Sequence, residues 1–197
     1  MMIKRSEERD TALRAALPHV PRLGWSPAAL EAALRDLGRD GREAEWLFPG
    51  GPIEAVEAWC DLADREMEEA ARAENLLSLR IPARIRRVLT LRLEANEPHK
   101  DAIRRALALQ SLPWNLASAL RTVARTADSM WAAAGDTSAD LSWYTRRATL
   151  SGVYGATLAF WLQDDEPGFP ATRAFLDRRL GDLARLQGKQ PKAARGA

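Results

Sequence analysis

Apolar residues recur at spacings of three and four along most of this chain, which is the pattern of amphipathic helices. The clearest example begins at Pro52, where one face is apolar and the opposite face is acidic. The apolar positions are Ile53, Val56, Cys60, Ala63, Met67 and Ala70, and the acidic positions are Glu54, Glu57, Asp61, Asp64 and Glu68. The pattern predicts a helix whose apolar face is buried and whose acidic face is solvated.

Helix-start signals follow one another at helix-length intervals, and few stretches alternate as strands do. Ser26 is a good N-cap residue and Pro27 suits the first helical position. The predicted helices cover residues 4–17, 26–38, 42–48, 52–75, 81–95, 98–110, 113–134, 138–163 and 171–187. The sequence therefore predicts an all-α protein of about nine helices.

Two of these helices have distinctive apolar patterns. Helix 113–134 carries a second stripe, made of Leu116, Leu120, Val123, Ala127, Met130 and Ala134. Helix 138–163 is apolar all round, which predicts burial on most sides. Its small residues Ala148, Gly152 and Ala156, spaced by four, let another backbone approach closely. Two interpretations follow, a central helix of the core or a helix that packs against its copy in a homodimer.

Composition narrows the class of protein. The 197 residues suffice for one domain with a sizeable core, and 46% hydrophobic residues exclude wholesale disorder. A single cysteine, Cys60, excludes an intramolecular disulfide, and with only two histidines it leaves no Cys/His metal cluster. The uncharged run 148–163 is too short to span a bilayer, and the charged N-terminus predicts no signal peptide.

The net charge of +2 conceals segments of opposite sign. Residues 1–51 carry eight basic and eight acidic side chains, so they are neutral. Residues 52–79 carry a net −6, whereas 80–105 and 171–197 each carry +5. An anionic partner would therefore be expected at the two basic segments and not at the N-terminal third.

The sequence lacks the placed reactive groups that catalysis needs. Neither His19 nor His99 has a Ser or Cys nucleophile at a motif spacing, and Cys60 belongs to an apolar stripe. There is no Glu-x-x-His pair for a di-iron centre and no glycine-rich phosphate loop. We therefore predict a protein that is not an enzyme and that has no catalytic residue, metal site or cofactor.

The seven tryptophans are many for a helical protein of this size. Tryptophan fills large apolar cavities and anchors partner surfaces. Trp131 lies in predicted helix 113–134, and Trp143 and Trp161 lie in predicted helix 138–163. A wide apolar interior without catalytic groups suggests a small-molecule or lipid pocket between helices. Simple core packing is the alternative interpretation of the same residues.

The N-terminal third resembles the TetR repressor family. The resemblance rests on Ala12-Leu13, Gly24-Trp25-Ser26, Ala29-Leu30, Leu37-Gly38 and Leu47-Phe48, and it implies a helix-turn-helix over residues 26–48. The expected recognition segment, 42–48, carries a net −1. A DNA reader must neutralise several phosphates, so we predict that this motif is degenerate and has no nucleic-acid partner.

A more specific resemblance covers nearly the whole chain. Its strings are Leu47-Phe48-Pro49-Gly50-Gly51, Ala134-Gly135-Asp136-Thr137-Ser138, Trp143-Tyr144-Thr145-Arg146-Arg147-Ala148 and Phe175-Leu176-Asp177-Arg178-Arg179. With them the chain resembles the coenzyme-Q biosynthesis accessory family, the ninth of the coenzyme-Q set. The resemblance implies a TetR-like fold without DNA binding, a homodimer, and binding of isoprenoid lipids, quinone intermediates or phospholipid. It also implies presentation of the intermediate to the di-iron hydroxylase of ubiquinone synthesis.

The resemblance and the apolar stripes nominate two sets of site residues. The family's partner patch corresponds to Trp143, Tyr144, Met130, Trp131 and Asp140, although Trp131 suits the core and Asp140 a capping box equally. No motif transfers for the lipid pocket. Its predicted liners come from the apolar stripes and are Leu116, Leu120, Val123, Tyr154 and Leu158.

Three segments organise the chain in this interpretation. They are a degenerate helix-turn-helix subdomain (1–51), a lipid-binding and dimerisation region (52–187) and a basic tail (188–197). The resemblance implies that eukaryotic members end in an amphipathic helix lying on the membrane, which residues 187–192 cannot form, and the domain starts without a transit peptide. We therefore expect a bacterial, cytoplasmic protein with transient contact at the inner membrane. The alternatives are a TetR-type regulator with an apolar effector pocket and a helical dimer without a ligand.

Overall fold

The structure is a computed structural model that describes residues 3–136 and 142–188, with the backbone alone at 142–144 and 184–188. Ten α-helices lie within these ranges. They are α1 (Glu7–Ala16), α2 (Val20–Leu23), α3 (Pro27–Asp36), α4 (Ala44–Leu47), α5 (Gly51–Ala73), α6 (Ile81–Asn96), α7 (Lys100–Gln110), α8 (Leu116–Ala133), α9 (Ser142–Trp161) and α10 (Pro170–Gly188). The described residues contain no strand, so the all-α prediction is confirmed.

The helix starts follow the sequence signals. The hydroxyl of Ser6 accepts from the backbone N–H of Arg9, and that of Ser26 accepts from Ala29, so both serines cap their helices. The one-turn helix α2 was not among the predicted elements, because four residues are too few to show a periodicity. It ends at Gly24, whose positive φ of 70° terminates the turn.

The N-terminal helices share one core with the helices that follow. Leu13 of α1, Leu34 of α3, and Val56 and Leu62 of α5 are fully buried together. The indole of Trp25 stacks near that of Trp59 and donates to the carbonyl of Ala102 on α7 at 2.9 Å. The boundary predicted at residue 51 thus coincides with the start of α5, and the core is continuous across it.

A second core lies at the other end of α5. It gathers apolar side chains from α5, α6, α8, α9 and α10, among them Met67, Leu89, Met130, Leu150 and Leu176. A smaller apolar cluster around Trp161 and Phe169 packs at the connection between α9 and α10. The two rings meet edge to face, with their centroids 6.2 Å apart. Helix α5 therefore runs through the whole molecule and carries both main cores.

The acidic face of α5 is not solvated as its pattern predicted. Glu57, Asp61 and Asp64 are buried, because α8 packs against this face. Five arginines pair with these acids, namely Arg65 of α5 itself and, from outside α5, Arg5, Arg92, Arg121 and Arg125. The helical period was correct and the solvent side was wrong, since a periodic pattern does not show which face a later helix will cover.

The apolar stripe of α8 also divides in a way that the pattern did not predict. Ala127 and Met130 are buried, whereas Leu116 and Leu120 are exposed. From Leu116 to Thr126 the buried residues of α8 are instead polar, namely Ser118, Thr122 and Thr126. This helix therefore turns a polar face toward the carboxylates of α5 and an apolar face toward solvent.

Helix α9 is less enclosed than its composition predicted. Ala148, Gly152 and Ala156 are all exposed, and a Cβ added at Gly152 would meet no atom within 4 Å. The opposite side, with Leu150, Val153 and Trp161, is buried. The interpretation of α9 as a helix buried on most sides is therefore wrong for this face.

Candidate functional site

A cavity opens between α5, α6, α7, α8 and α9. The space between its lining residues is about 620 Å³, a figure that includes open solvent at the entrance. The apolar walls come from Trp59, Ala63, Leu93, Ile103, Ala106, Leu107, Val123, Tyr154 and Leu158. The polar lining comes from Cys60, Arg92, Asn96, Gln110, Thr122 and Thr126.

The entrance and the interior differ in polarity. Leu107 on α7 and Val123 on α8 are exposed by 39% and 43%, so they form an apolar mouth. Arg92 and Asn96 on α6 are buried, and they lie on the interior wall. A molecule that entered would pass aliphatic side chains before it met charged and amide groups.

A buried ion pair lies behind the interior wall. The guanidinium Nη2 of Arg92 is 3.1 Å from Oδ1 of Asp64, and both side chains are more than nine-tenths buried. The hydroxyl of Thr126 donates to the second oxygen of Asp64 at 3.0 Å. Burial is the largest single influence on Arg92 and opposes its charge, but Asp64, Tyr154 and Cys60 together outweigh it and raise the pKa of Arg92 above its usual value. Burial also raises the pKa of the Asp64 carboxyl, against the opposing effect of Arg92 and Arg125.

The ion pair belongs to a larger network that explains the buried acidic face of α5. Arg5 donates to both oxygens of Asp61 at 2.8 and 3.0 Å, and Arg65 bridges Asp61 to Asp10. Burial opposes ionisation of Asp61, but Arg5 and Arg65 hold its pKa below the usual range. The acids of α5 therefore fasten α1 and α8 to the central helix by charge-assisted hydrogen bonds.

Four buried polar atoms, on three side chains that line the cavity, lack hydrogen-bond partners among the described residues. They are Nε and Nη1 of Arg92, Nε2 of Gln110 and Oγ1 of Thr122. A buried donor without an acceptor is costly, and such groups in a native structure call for an explanation. The cavity therefore contains hydrogen-bonding capacity that the protein does not itself use.

Cys60 lines the same cavity but is not activated. Burial raises the pKa of its thiol to about 11, so the nucleophilic thiolate is scarce at neutral pH. No group of three His, Cys, Asp or Glu side chains in the described ranges could hold a metal ion.

The predicted lipid-contacting residues separate into two groups. Val123, Tyr154 and Leu158 line the cavity. Leu116 and Leu120 lie outside it, exposed by 56% and 63%, on the turns of α8 that precede Val123. The residues at positions 116, 120 and 123 follow helical spacing, so the exposed pair continues the apolar face that starts at the mouth.

The predicted partner residues differ in burial, and the structure describes the side chains of only two of them. Met130 is fully buried in the second core and forms no surface. Trp131 lines a shallow apolar groove with Ile81, Ile85, Leu150, Leu180 and Leu183. Trp143 and Tyr144 lie in the first turn of α9, where the structure describes the backbone alone, and Asp140 lies outside the described residues.

The predicted recognition segment has the form of a 3₁₀ turn followed by the single turn of α4. The segment has one basic side chain, the exposed Arg42, and Arg39 lies shortly before the segment. Arg42 pairs with Asp40 at 2.6 Å, and Arg39 pairs with both Glu8 and Glu43. Helix α4 presents Glu45 and an exposed Trp46 instead, so the segment offers no cationic face for phosphates.

Comparison with known proteins shows which family the chain belongs to. The family model COQ9 matches residues 116–187. The ubiquinone biosynthesis protein COQ9-B, mitochondrial, of Xenopus laevis is 32% identical over 198 residues, which cover 96% of this chain and 67% of that protein. This chain belongs to the COQ9 family. The human protein named ubiquinone biosynthesis protein COQ9, mitochondrial, is also 32% identical, over 88% of this chain and 57% of its own length.

The fold of this COQ9-family chain is TetR-like. The crystal structure of the TetR transcriptional regulator from Nitrosomonas europaea ATCC 19718 superposes with a TM-score of 0.73, at 23% identity. The match covers 91% of this chain and 99% of that chain. In the part of the chain that the structure describes, no helix combines the length and apolarity that crossing a bilayer would require.

The polar lining of the cavity was missed at the level of the sequence. Arg92 stands within the run 88–93, where every other residue except Thr90 is aliphatic. A charged residue inside an apolar helical run is a signal of a buried, paired charge. Gln110 and Thr122 carry no such signal, because their neighbours are ordinary helix-surface residues.

Proposed function

We propose that this COQ9-family chain is a non-catalytic accessory protein of ubiquinone biosynthesis that binds an isoprenoid quinone intermediate. The observation that carries the proposal is an apolar cavity with a buried polar lining in a chain whose relatives are named ubiquinone biosynthesis proteins. The aliphatic walls suit an isoprenoid tail, whose transfer from water is favourable in proportion to the apolar area buried. Phospholipid is a second ligand that the same walls would accept.

The tail of a long isoprenoid exceeds a cavity of this size. We propose that it leaves through the mouth at Leu107 and Val123 and continues over Leu120 and Leu116. These exposed leucines lie on the same helical face as Val123, and Trp114 precedes them with 77% exposure. An exposed apolar stripe of this kind is expected to be covered by a ligand or a partner.

The hydroxylase of ubiquinone synthesis is the proposed protein partner. Its docking surface is proposed to include Trp143, Tyr144 and Trp131, with Asp140 nearby in sequence and buried Met130 supporting the surface from beneath. Large aromatic side chains are the usual anchors of protein interfaces. The groove beside Trp131 supplies an apolar floor at the same end of α9.

We also propose a homodimer that forms through α9 and α10, because both helices have exposed apolar or small side chains. The small residues Ala148, Gly152 and Ala156 are uncovered, and Phe160 stacks on Phe175 of α10 at 4.7 Å with 37% of its own surface exposed. We also propose that the protein works in transient contact with a membrane surface, where its lipid ligands reside.

The TetR-type regulator is the weaker candidate. Its fold is present, but the segment that would read DNA is short and internally neutralised. A regulator needs cationic contacts to several phosphates, and the N-terminal third is neutral as a whole.

The proposal is tested with Trp143→Ala and Tyr144→Ala in cells that depend on this protein. We expect both variants to lower ubiquinone content and to accumulate an unhydroxylated precursor, with melting temperatures close to that of the wild type. Loss of an interface anchor costs about 2 kcal/mol, which is roughly a thirtyfold loss of affinity.

Trp46→Ala is the matched control, because Trp46 is 84% exposed and lies on α4. It should change neither melting nor ubiquinone content. If Trp143→Ala and Tyr144→Ala instead melt many degrees lower and lose function in proportion, these residues belong to the core and the partner surface is wrong.

A further inference from the structure

We infer that the unpartnered polar groups of the cavity form a subsite for the ring of the ligand, which binds with its carbonyl oxygens inward. This inference rests on the proposed function and adds the orientation and the chemical class of the head group. Arg92, Gln110 and Thr122 supply the subsite, and all three side chains are at least nine-tenths buried.

The available groups select for hydrogen-bond acceptors. Nε and Nη1 of Arg92 and Nε2 of Gln110 can only donate, and none of them has an acceptor in hydrogen-bond geometry among the described residues. The Tyr154 hydroxyl, which also lines the cavity, interacts with the Arg92 guanidinium. The hydroxyl Oγ1 of Thr122 is likewise unpartnered. A benzoquinone ring offers two carbonyl oxygens and no donor, so it complements this set.

The charge of the subsite favours a neutral head group. The positive charge of Arg92 is already balanced by Asp64 at 3.1 Å. A carboxylate or phosphate would bring an uncompensated negative charge into a buried place, which is unfavourable without a matching cation. The carbonyl oxygens of a quinone use the free donors of Arg92 and add no charge.

The orientation follows from where the polar groups and the apolar groups lie. The mouth is formed by Leu107 and Val123, and the exposed face beyond it continues with Leu120. A tail that leaves by this route keeps apolar contact, whereas a ring at the mouth would leave the interior donors unsatisfied. The bound state therefore shields the ring, and delivery to an enzyme requires the ring to leave these donors.

The test measures binding of two probes to the full chain by isothermal titration calorimetry. One probe is ubiquinone with two isoprene units, and the other is a benzene ring with the same tail and no ring oxygen. Thr122→Val and Gln110→Leu should each weaken quinone binding by about five- to tenfold, the equivalent of one hydrogen bond, and leave the oxygen-free probe unaffected. Arg92→Lys keeps the charge beside Asp64 and should weaken quinone binding by at least as much.

Ser118→Ala is the matched control. Oγ of Ser118 is also buried and unpartnered, one turn before Thr122 on the same helix, but Ser118 does not line the cavity. It should leave both affinities unchanged. Thr122→Val and Gln110→Leu remove unpartnered groups, so neither should melt below the wild type.

The outcomes separate the subsite from the proposed function. If the wild type binds the quinone and all three lining variants bind it equally well, the subsite is overturned and the lipid-binding function stands. If the wild type binds neither probe, the proposed function fails and the subsite fails with it. Equal weakening of both probes by Thr122→Val would also overturn the subsite, because it would indicate lost packing and not a lost hydrogen bond.

Discussion

At the scale of single residues, the buried ion pair of Asp64 and Arg92 affects both the stability of the fold and the polarity of the cavity. Asp64 and Arg92 have each lost almost all contact with water, so each depends on the other for compensation. The pair also holds in place a guanidinium that lines the cavity and whose Nε and Nη1 have no hydrogen-bond partner among the described residues. This ion pair thus has two roles: it links α5 to α6, and it supplies a polar group of the cavity lining.

Replacing Asp64 by Ala is expected to destabilise the protein by about 3–5 kcal/mol, because it leaves Arg92 buried and unpaired. Denaturant unfolding measures the change in free energy. Asp177→Ala is the control, since Asp177 pairs with Arg86 at 3.0 Å on the surface, where both side chains are more than two-fifths exposed. That variant should cost about 1 kcal/mol or less. Equal losses for the two variants would contradict the role assigned to the buried pair.

The sequence predicted part of this residue-scale picture. The acids of α5 were recognised as one helical face, but their solvation was wrong, because their partners come from positions as distant as Arg5 and Arg125. Periodicity describes one helix at a time. Which face meets another helix depends on tertiary packing, and an acidic face opposite several arginines is covered as readily as an apolar one.

At the scale of helices, the connection between α9 and α10 shows how a single side chain starts an element. Oδ2 of Asp164 accepts from the backbone N–H of Thr172 at 2.8 Å and from its hydroxyl at 2.7 Å, in the first turn of α10. The Thr172 hydroxyl lowers the pKa of Asp164 more than any other group. Sequence periodicity placed the helix start within a residue, but it could not show that Asp164 caps it from eight residues away.

Asp164→Ala is expected to cost about 1–2 kcal/mol of stability at pH 7, as the loss of a helix cap does. The pKa of Asp164 is lowered in the folded state, so its contribution is present at neutral pH. The contribution is lost as the pH falls through that lowered pKa, below about 4. Thermal melting from pH 7 to pH 3 should therefore show the gap between variant and wild type narrowing. Asp165→Ala, at the exposed neighbouring position, should change little at either pH.

At the scale of the whole molecule, the exposed apolar surfaces are not spread evenly. One lies on α8 beside the cavity mouth, and another is the small-residue face of α9. The sequence identified both stripes but not their exposure. A stripe is equally consistent with a core and with an interface, and only the packed structure distinguishes them.

Gly152→Arg is expected to convert a dimer into a monomer without unfolding it. A Cβ at this position would meet no neighbouring atom of its own protomer within 4 Å. A long charged side chain built from it would meet the partner if α9 packs against its copy. Light scattering at micromolar concentration measures the mass. Ala108→Arg on the exposed side of α7 is the control and should leave the mass unchanged. A wild type that is already monomeric would contradict the dimer.

The central claim, that the cavity holds an isoprenoid quinone intermediate, is tested most directly by mass spectrometry of a solvent extract of the purified protein. Leu158→Trp, which fills the cavity from α9, serves as the comparison. We predict that the wild type releases an isoprenoid quinone or its precursor and that Leu158→Trp releases far less at equal protein concentration. An extract of the wild type without any isoprenoid, or equal amounts from the two proteins, would contradict the claim.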